Sequence, residues 1–104
     1  MLIEAGADVD KARDDGTTPL LMAAQEGRVE AVRVLLEQGS ADMNKANNNS
    51  QTPINIAAFM GRLEVVKLLL EKGPDLSIKD KWGDMPRASA LAKGHAEVAA
   101  LLRS

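Results

Sequence analysis

Cysteine and tyrosine are absent from this chain of 104 residues, and phenylalanine, tryptophan and histidine occur once each. The lack of cysteine excludes a disulfide framework and a thiolate metal site, and nothing calls for an oxidising compartment. Aromatic residues make up 2% of the chain against 45% hydrophobic residues, so the core has to be built from Leu, Ile, Val and Ala. With one imidazole, Ser40, Ser50, Ser77, Ser89 and Ser104 have no evident His–Asp arrangement of the kind a serine triad needs. No apolar run approaches the ~18 residues of a membrane span. The start, Met1 to Asp10, lacks the basic region and apolar stretch of a secretory signal. These absences lead us to expect an intracellular, cytoplasmic chain that does not enter a membrane.

A strong charge of either sign is also missing. The net charge is −2 and the pI about 5.3, which gives no general attraction to nucleic acid, and no basic stripe interleaved with aromatics is present. The two parts of the chain differ, however. Residues 1–46 carry nine acids and five bases, and residues 47–104 carry six and eight. Such polarity could orient a partner, although a solvated surface of mixed charge is the better explanation.

What the chain does have is repetition. GTTPLLMAAQEGRVEAVRVLLEQG (Gly16 to Gly39) returns as SQTPINIAAFMGRLEVVKLLLEKG (Ser50 to Gly73), then more loosely as GDMPRASALAKGHAEVAALLRS (Gly83 to Ser104). Gly27, Gly61 and Gly94 hold one register at spacings of 34 and 33 residues, as do Glu30, Glu64 and Glu97. A fixed period in this range specifies a solenoid of stacked units that share one continuous core, with no second domain.

Each full copy spells out two helices. Thr18 and Thr52 stand where a hydroxyl can cap the free amides of a new helix, and Pro19 and Pro53 suit its first position. Ala23-Ala24 and Ala57-Ala58 allow close approach, and Gly27 and Gly61 suit a left-handed stop. The next helices, expected over 29–38 and 63–72, place Val29, Val32, Leu35 and Leu36 against Leu63, Val66, Leu69 and Leu70 at helical spacing, and Gly39 and Gly73 end them.

The pattern T-P-L-x-x-A-A-x-x-G, a Val/Leu-rich helix and a Gly-Ala-Asp turn together resemble the ankyrin repeat over essentially the whole chain. The resemblance implies an all-α fold, an ankyrin-repeat solenoid of stacked helix-turn-helix units joined by hairpin loops that project at about a right angle. The copies divide the single domain into a partial repeat at 1–12, repeats at 13–46 and 47–79, and a capping repeat at 80–104.

Departures from the repeat are as informative as matches. Arg87, Ser89 and Arg103 stand where earlier copies have Leu20 and Ile54, Met22 and Ile56, and Leu36 and Leu70, as a wettable terminal cap requires. Met85 replaces the capping threonine at an expected cost of ~1 kcal/mol. The first repeat lacks its inner helix, which would leave Leu2, Ile3 and Val9 uncovered and open the N-terminal edge to fraying or self-association. Ser50 occupies the hairpin tip held by Gly16 and Gly83. Asn47, Asn48 and Asn49 before it are expected to absorb the missing glycine by shifting the turn, at the price of a more mobile tip. Gly39 to Asp42 is one residue longer than Gly6 to Asp8, implying a small bulge, and Pro74 should stiffen the next connection. The family's histidine after T-P-L is replaced by Leu21, Asn55 and Ala88, of which Asn55 alone could keep part of its hydrogen bonding.

Chemistry finds little support. His95 follows Gly94, where the family often has Gly-His between helices, so its expected role is structural. Asp8, Asp10, Asp14 and Asp15 do not match a calcium loop, and no Gly-rich segment ends in Lys-Ser or Lys-Thr. No catalytic residue, cofactor site or metal site is expected. The resemblance instead implies a protein partner held in the groove of hairpin tips and inner helices. Carried over residue by residue, it selects Asp14, Asp15, Thr17, Gln25 and Glu26, then Asn48, Asn49, Gln51, Phe59 and Met60, then Lys81, Trp82, Asp84 and Lys93. The only Phe and the only Trp fall in this set, and large rigid side chains are the usual carriers of interface energy. Internal packing of Phe59 on Ala92 or Lys93, and of Trp82 on its own hairpin, is the competing explanation. At the level of the whole chain, the competitor is a structural fragment of a longer array or an engineered scaffold without a natural ligand.

Overall fold

The computed structural model describes residues 12–39 and 41–102. Expectations that rest on Leu2, Ile3, Val9, Asp8, Asp10, Ser40 or Arg103, including the open N-terminal edge and its self-association, lie outside the described residues.

Among the described residues six helices follow one another: α1 Pro19–Glu26, α2 Val29–Glu37, α3 Pro53–Met60, α4 Leu63–Glu71, α5 Pro86–Ala92 and α6 Ala96–Leu101. No strand occurs among the described residues. The inner helices α1, α3 and α5 stack in sequence, and the outer helices α2, α4 and α6 stack behind them. Each pair is therefore one layer of a solenoid, covered by its neighbours rather than closed on itself.

The inner helices begin as their sequence requires. The Thr18 hydroxyl accepts from the Leu21 amide at 3.2 Å, and Thr52 from the Asn55 amide at 3.3 Å. Met85 has the same extended backbone as these threonines but makes no side-chain cap. Gly27 and Gly61 close α1 and α3 in the left-handed region, with φ of 72° and 71°. The outer helices start without side-chain caps at Arg28, Arg62 and His95. Glu30, Glu64 and Glu97 lie in their first turns, where a negative charge faces the positive end of the helix dipole. That placement accounts for the glutamate held in register.

Leu20, Leu21, Val32, Leu35, Ile54, Val65, Val66 and Leu69 are the large apolar side chains most fully buried in the core, and Ala23, Ala24, Ala57 and Ala58 are buried beside them. Burial of aliphatic surface at about 25 cal/mol per Å² is the main favourable term in such a stack, since the core contains no aromatic ring.

The last unit differs from the polar cap expected. Arg87 is exposed, but Ser89 is only 3% exposed and its hydroxyl lies 3.5 Å from Asp80 Oδ2, so it faces the preceding unit. Leu91, at the position of Ala24 and Ala58, is 53% exposed and Met85 44%. Together with Leu76, Pro86, Ala88 and Leu102 they line an apolar cleft of about 490 Å³ beside Arg87. The middle hairpin also departs from expectation. The turn does not shift; Ser50 itself takes φ of +58°.

Candidate functional site

Three hairpins line one edge of the stack, and a repeated hydrogen-bond pattern fixes each. Arg13, Asn47 and Asp80 donate their amides to the carbonyls of Thr17, Gln51 and Asp84 at 2.9 to 3.0 Å. Gly16, Ser50 and Gly83 donate their amides in return to the carbonyls of Arg13, Asn47 and Asp80. Neighbouring tips are tied together, since Asn48 donates its amide to Asp15 O at 3.0 Å and Lys81 to Asn49 O at 2.9 Å. The ladder makes the tips a continuous rim.

The rim rests on side chains that point inward. Asn47 Oδ1 accepts from the amides of Asn49 and Gln51 at 2.9 and 3.0 Å. Asp80 Oδ1 likewise accepts from Trp82 and Asp84 at 3.0 and 2.9 Å. Because Asn47 pins residues on both sides of Ser50, the turn cannot move, and the strain falls on Ser50. In the first hairpin Asp15 Oδ1 takes the Thr17 amide at 2.9 Å. The Thr17 hydroxyl, then its amide, hold the Asp15 carboxyl below its ordinary value of 3.8.

Two further staples join units at the helix turns. Arg62 Nε donates to Gln25 O at 2.9 Å, and His95 Nε2 bonds Phe59 O at 3.1 Å. Since a carbonyl only accepts, the His95 bond places its proton on Nε2. Both staples satisfy carbonyls at the ends of inner helices that have no partner within their own helix. Arg62 passes over Gly27 and the His95 ring over Gly61, close enough that a Cβ on either glycine would meet them at 2.9 and 2.6 Å. His95 therefore has the structural place expected. Asn55 donates Nδ2 to Ile78 O at 3.0 Å, but its buried Oδ1 has no partner.

Of the selected residues, the structure draws one group together. A cleft of about 390 Å³ is lined by Phe59, Asp80, Trp82, Asp84, Ser89, Ala92 and Lys93. Phe59 is half-buried near the end of α3, and the Lys93 ammonium lies 4.8 Å from its ring centroid. Trp82 is 59% exposed at the third tip, with the Lys81 ammonium 4.9 Å from its ring. Met60 is exposed next to Phe59 but does not line the cleft. Asp14 and Asp15, with Arg13, line a separate depression at the first tip.

Other selected residues are committed to the scaffold. Thr17 and Gln51 are buried, because the hairpin folds them under the rim, and Gln51 Oε1 accepts from Asn47 Nδ2 at 3.0 Å. Asn48 is exposed but spans to Asp14 O at 3.1 Å, and Asn49 is half-buried under the Lys81 bond. Gln25 is half-buried, and Glu26 pairs with Arg28 at 2.7 Å. Three residues that line the cleft, Asp80, Ser89 and Ala92, lie outside the selected set. Asp80 could have been found from the position it shares with Asn47, since both side chains can accept amides two and four residues on.

Among the described residues no three His, Asp or Glu side chains converge as metal ligands, and no helix is long and apolar enough to cross a membrane. A hydrogen-bonded rim of hairpin tips beside stacked helix pairs defines a helical repeat protein. The chain belongs to the ankyrin repeat family: the family's description, ankyrin repeats in three copies, matches residues 1–80. No curated protein matches the chain. Ankyrin repeats generally mediate protein–protein interaction and are typically non-enzymatic.

Proposed function

We propose that this chain binds a protein partner through the concave groove formed by its hairpin tips and inner helices, with the Phe59–Trp82 cleft at the centre of contact. The observation that carries this reading is the placement of the only two aromatic rings. A chain that builds its whole core from aliphatic residues lets both Phe59 and Trp82 line one cleft, and leaves Trp82 59% exposed. Aromatic side chains in a cleft ringed by polar groups supply a large share of binding energy at interfaces, about 2 kcal/mol or more each at a hot spot. Asp15, Lys81, Asp84, Lys93 and Met60 form the surrounding contacts, whereas Thr17, Gln51, Asn48 and Asn49 hold the rim in shape. No covalent step, cofactor, nucleic acid or membrane enters the reading, and a cytoplasmic setting suits a chain without cysteine.

The test compares pull-down by the wild type with pull-down by a Phe59→Ala, Met60→Ala, Trp82→Ala variant, with melting points measured for both. Loss of specific bound protein with the melting point retained supports contact. A spacer within a longer array, or a scaffold without a ligand, gives no difference between the two.

A further inference from the structure

Resting on that reading of the groove, we infer that the segment held between Phe59 and Trp82 is acidic, presenting an apolar side chain to the cleft and carboxylates to Lys81 and Lys93. The charges around the cleft carry the inference. Lys81 and Lys93 are exposed, and the contacts the structure gives their ammonium groups are ring faces, Trp82 at 4.9 Å and Phe59 at 4.8 Å. The other described ion pairs engage Arg28, Arg33, Lys67 and Lys72 with glutamates, and none reaches these two lysines. A ring face attracts a cation but leaves its net charge uncancelled, and the ammonium keeps donors for an anion.

The lining itself holds one lysine, Lys93, and two carboxylates, Asp80 and Asp84, with Lys81 beside it over the Trp82 ring, and the two carboxylates are not equally presented. Asp80 is 7% exposed, and its oxygens face the amides of Trp82 and Asp84 and the Ser89 hydroxyl, so its charge is turned into the scaffold. Asp84 is half-buried on the wall and is the carboxylate that an incoming anion would oppose. Ala92 and Ser89 also line the cleft, and its volume of about 390 Å³ suits one or two aliphatic side chains rather than a domain surface. The preference fits the wider distribution, eight bases against six acids over residues 47–104. A planar base stacked on Trp82 with phosphates on the lysines is the competing occupant; a nucleic-acid backbone needs a basic stripe interleaved with aromatics, which this chain lacks.

Acetylated octapeptides with a central Leu-Leu flanked on both sides by Glu, Gln or Lys, and an oligothymidylate of equal length, provide the probes, titrated calorimetrically into the intact chain. The Glu peptide should bind tightest. Lys81→Gln and Lys93→Gln should each weaken it about threefold, and Asp84→Asn should strengthen it by a similar factor. Raising salt should erase the preference among the peptides. Equal or tighter binding of the Gln or Lys peptides, tighter binding of the oligothymidylate, or no peptide binding up to millimolar concentration overturns the inference. Trp82→Ala separates this failure from failure of the groove reading. If peptides bind without acidic preference and Trp82→Ala abolishes binding, the groove stands and the chemistry falls. If Trp82→Ala leaves binding unchanged, the groove itself is wrong.

Discussion

Replacing Ser50 by glycine should stabilise the protein, and the size of the gain follows from the backbone. Ser50 has φ of +58°, and it is the only non-glycine residue with positive φ among those described. Holding an L-residue there costs about 1–2 kcal/mol, because Cβ crowds the following carbonyl oxygen. Glycine removes that cost but gives the unfolded chain more freedom, a loss of about 0.4–1 kcal/mol. The difference is a net gain of roughly 0.5–1 kcal/mol, or about 2–8 °C in melting temperature for a domain of this size. The serine side chain is exposed, and the Ser50 amide bond to Asn47 O at 2.9 Å needs no side chain, so little else changes. The reverse substitution isolates the cause. Gly83 has φ of +84°, and a Cβ there would meet nothing within 4 Å, so Gly83→Ser should lose about what Ser50→Gly gains. Thermal melts followed by circular dichroism read both. An unchanged or lower melting point for Ser50→Gly refutes the reasoning, and a harmless Gly83→Ser would show that left-handed geometry is not the source of any gain.

Met85→Thr should raise stability by about 1 kcal/mol in a urea titration, because Met85 already has the φ and ψ of Thr18 and Thr52 and lacks only a hydroxyl. Gly61→Ala should cost about 2–3 kcal/mol by the same assay, combining φ of +71° with a Cβ 2.6 Å from His95 Nδ1 that would push the ring off Phe59 O. Gly27→Ala should cost less, since the Cβ would meet the flexible Arg62 stem at 2.9 Å instead of a ring. Asp75 has its carboxyl held below the ordinary 3.8 by the Ser77 hydroxyl and then its amide. Its contribution is therefore present above about pH 3.8 and is lost as the pH falls through the lowered value. Asp75→Asn should flatten the pH dependence of stability below that point, and an unaltered acid-denaturation profile would contradict it.

Helix starts, helix stops and the outer-helix stripe were all legible, because each depends on residues close in sequence. Thr18 and Thr52 cap amides three residues on, Gly27 and Gly61 turn the chain where they stand, and the apolar spacing of 29–37 and 63–71 is a property of one helix. The middle tip differs from expectation although its cause is also local: Asn47 Oδ1 accepts the amides of Asn49 and Gln51, which holds the turn in register and leaves the positive φ to Ser50. The last unit was misread for a different reason. Polar residues at core positions suggested a wettable cap, yet Ser89 turned inward to Asp80, and Leu91 and Met85 came to the surface. Which face a residue of a short helix presents is set by the neighbouring unit, and periodicity within the helix does not reveal it.

The sequence by itself determined the repeat, the order of helices and the family, since a period near 33 residues marks a stack of repeats and the T-P starts, Ala-Ala pairs and Gly stops in register mark the ankyrin pattern. It also named Phe59 and Trp82 as unusual, because they are rare. Tertiary structure alone decided that they share one cleft, that Lys81 and Lys93 lie on their rings, and that Thr17 and Gln51 serve the rim instead of the groove. The physical reason is one of range. Caps and turns are written over three or four residues, whereas the cleft joins the end of α3 to a tip more than twenty residues on, and stacking brings them together.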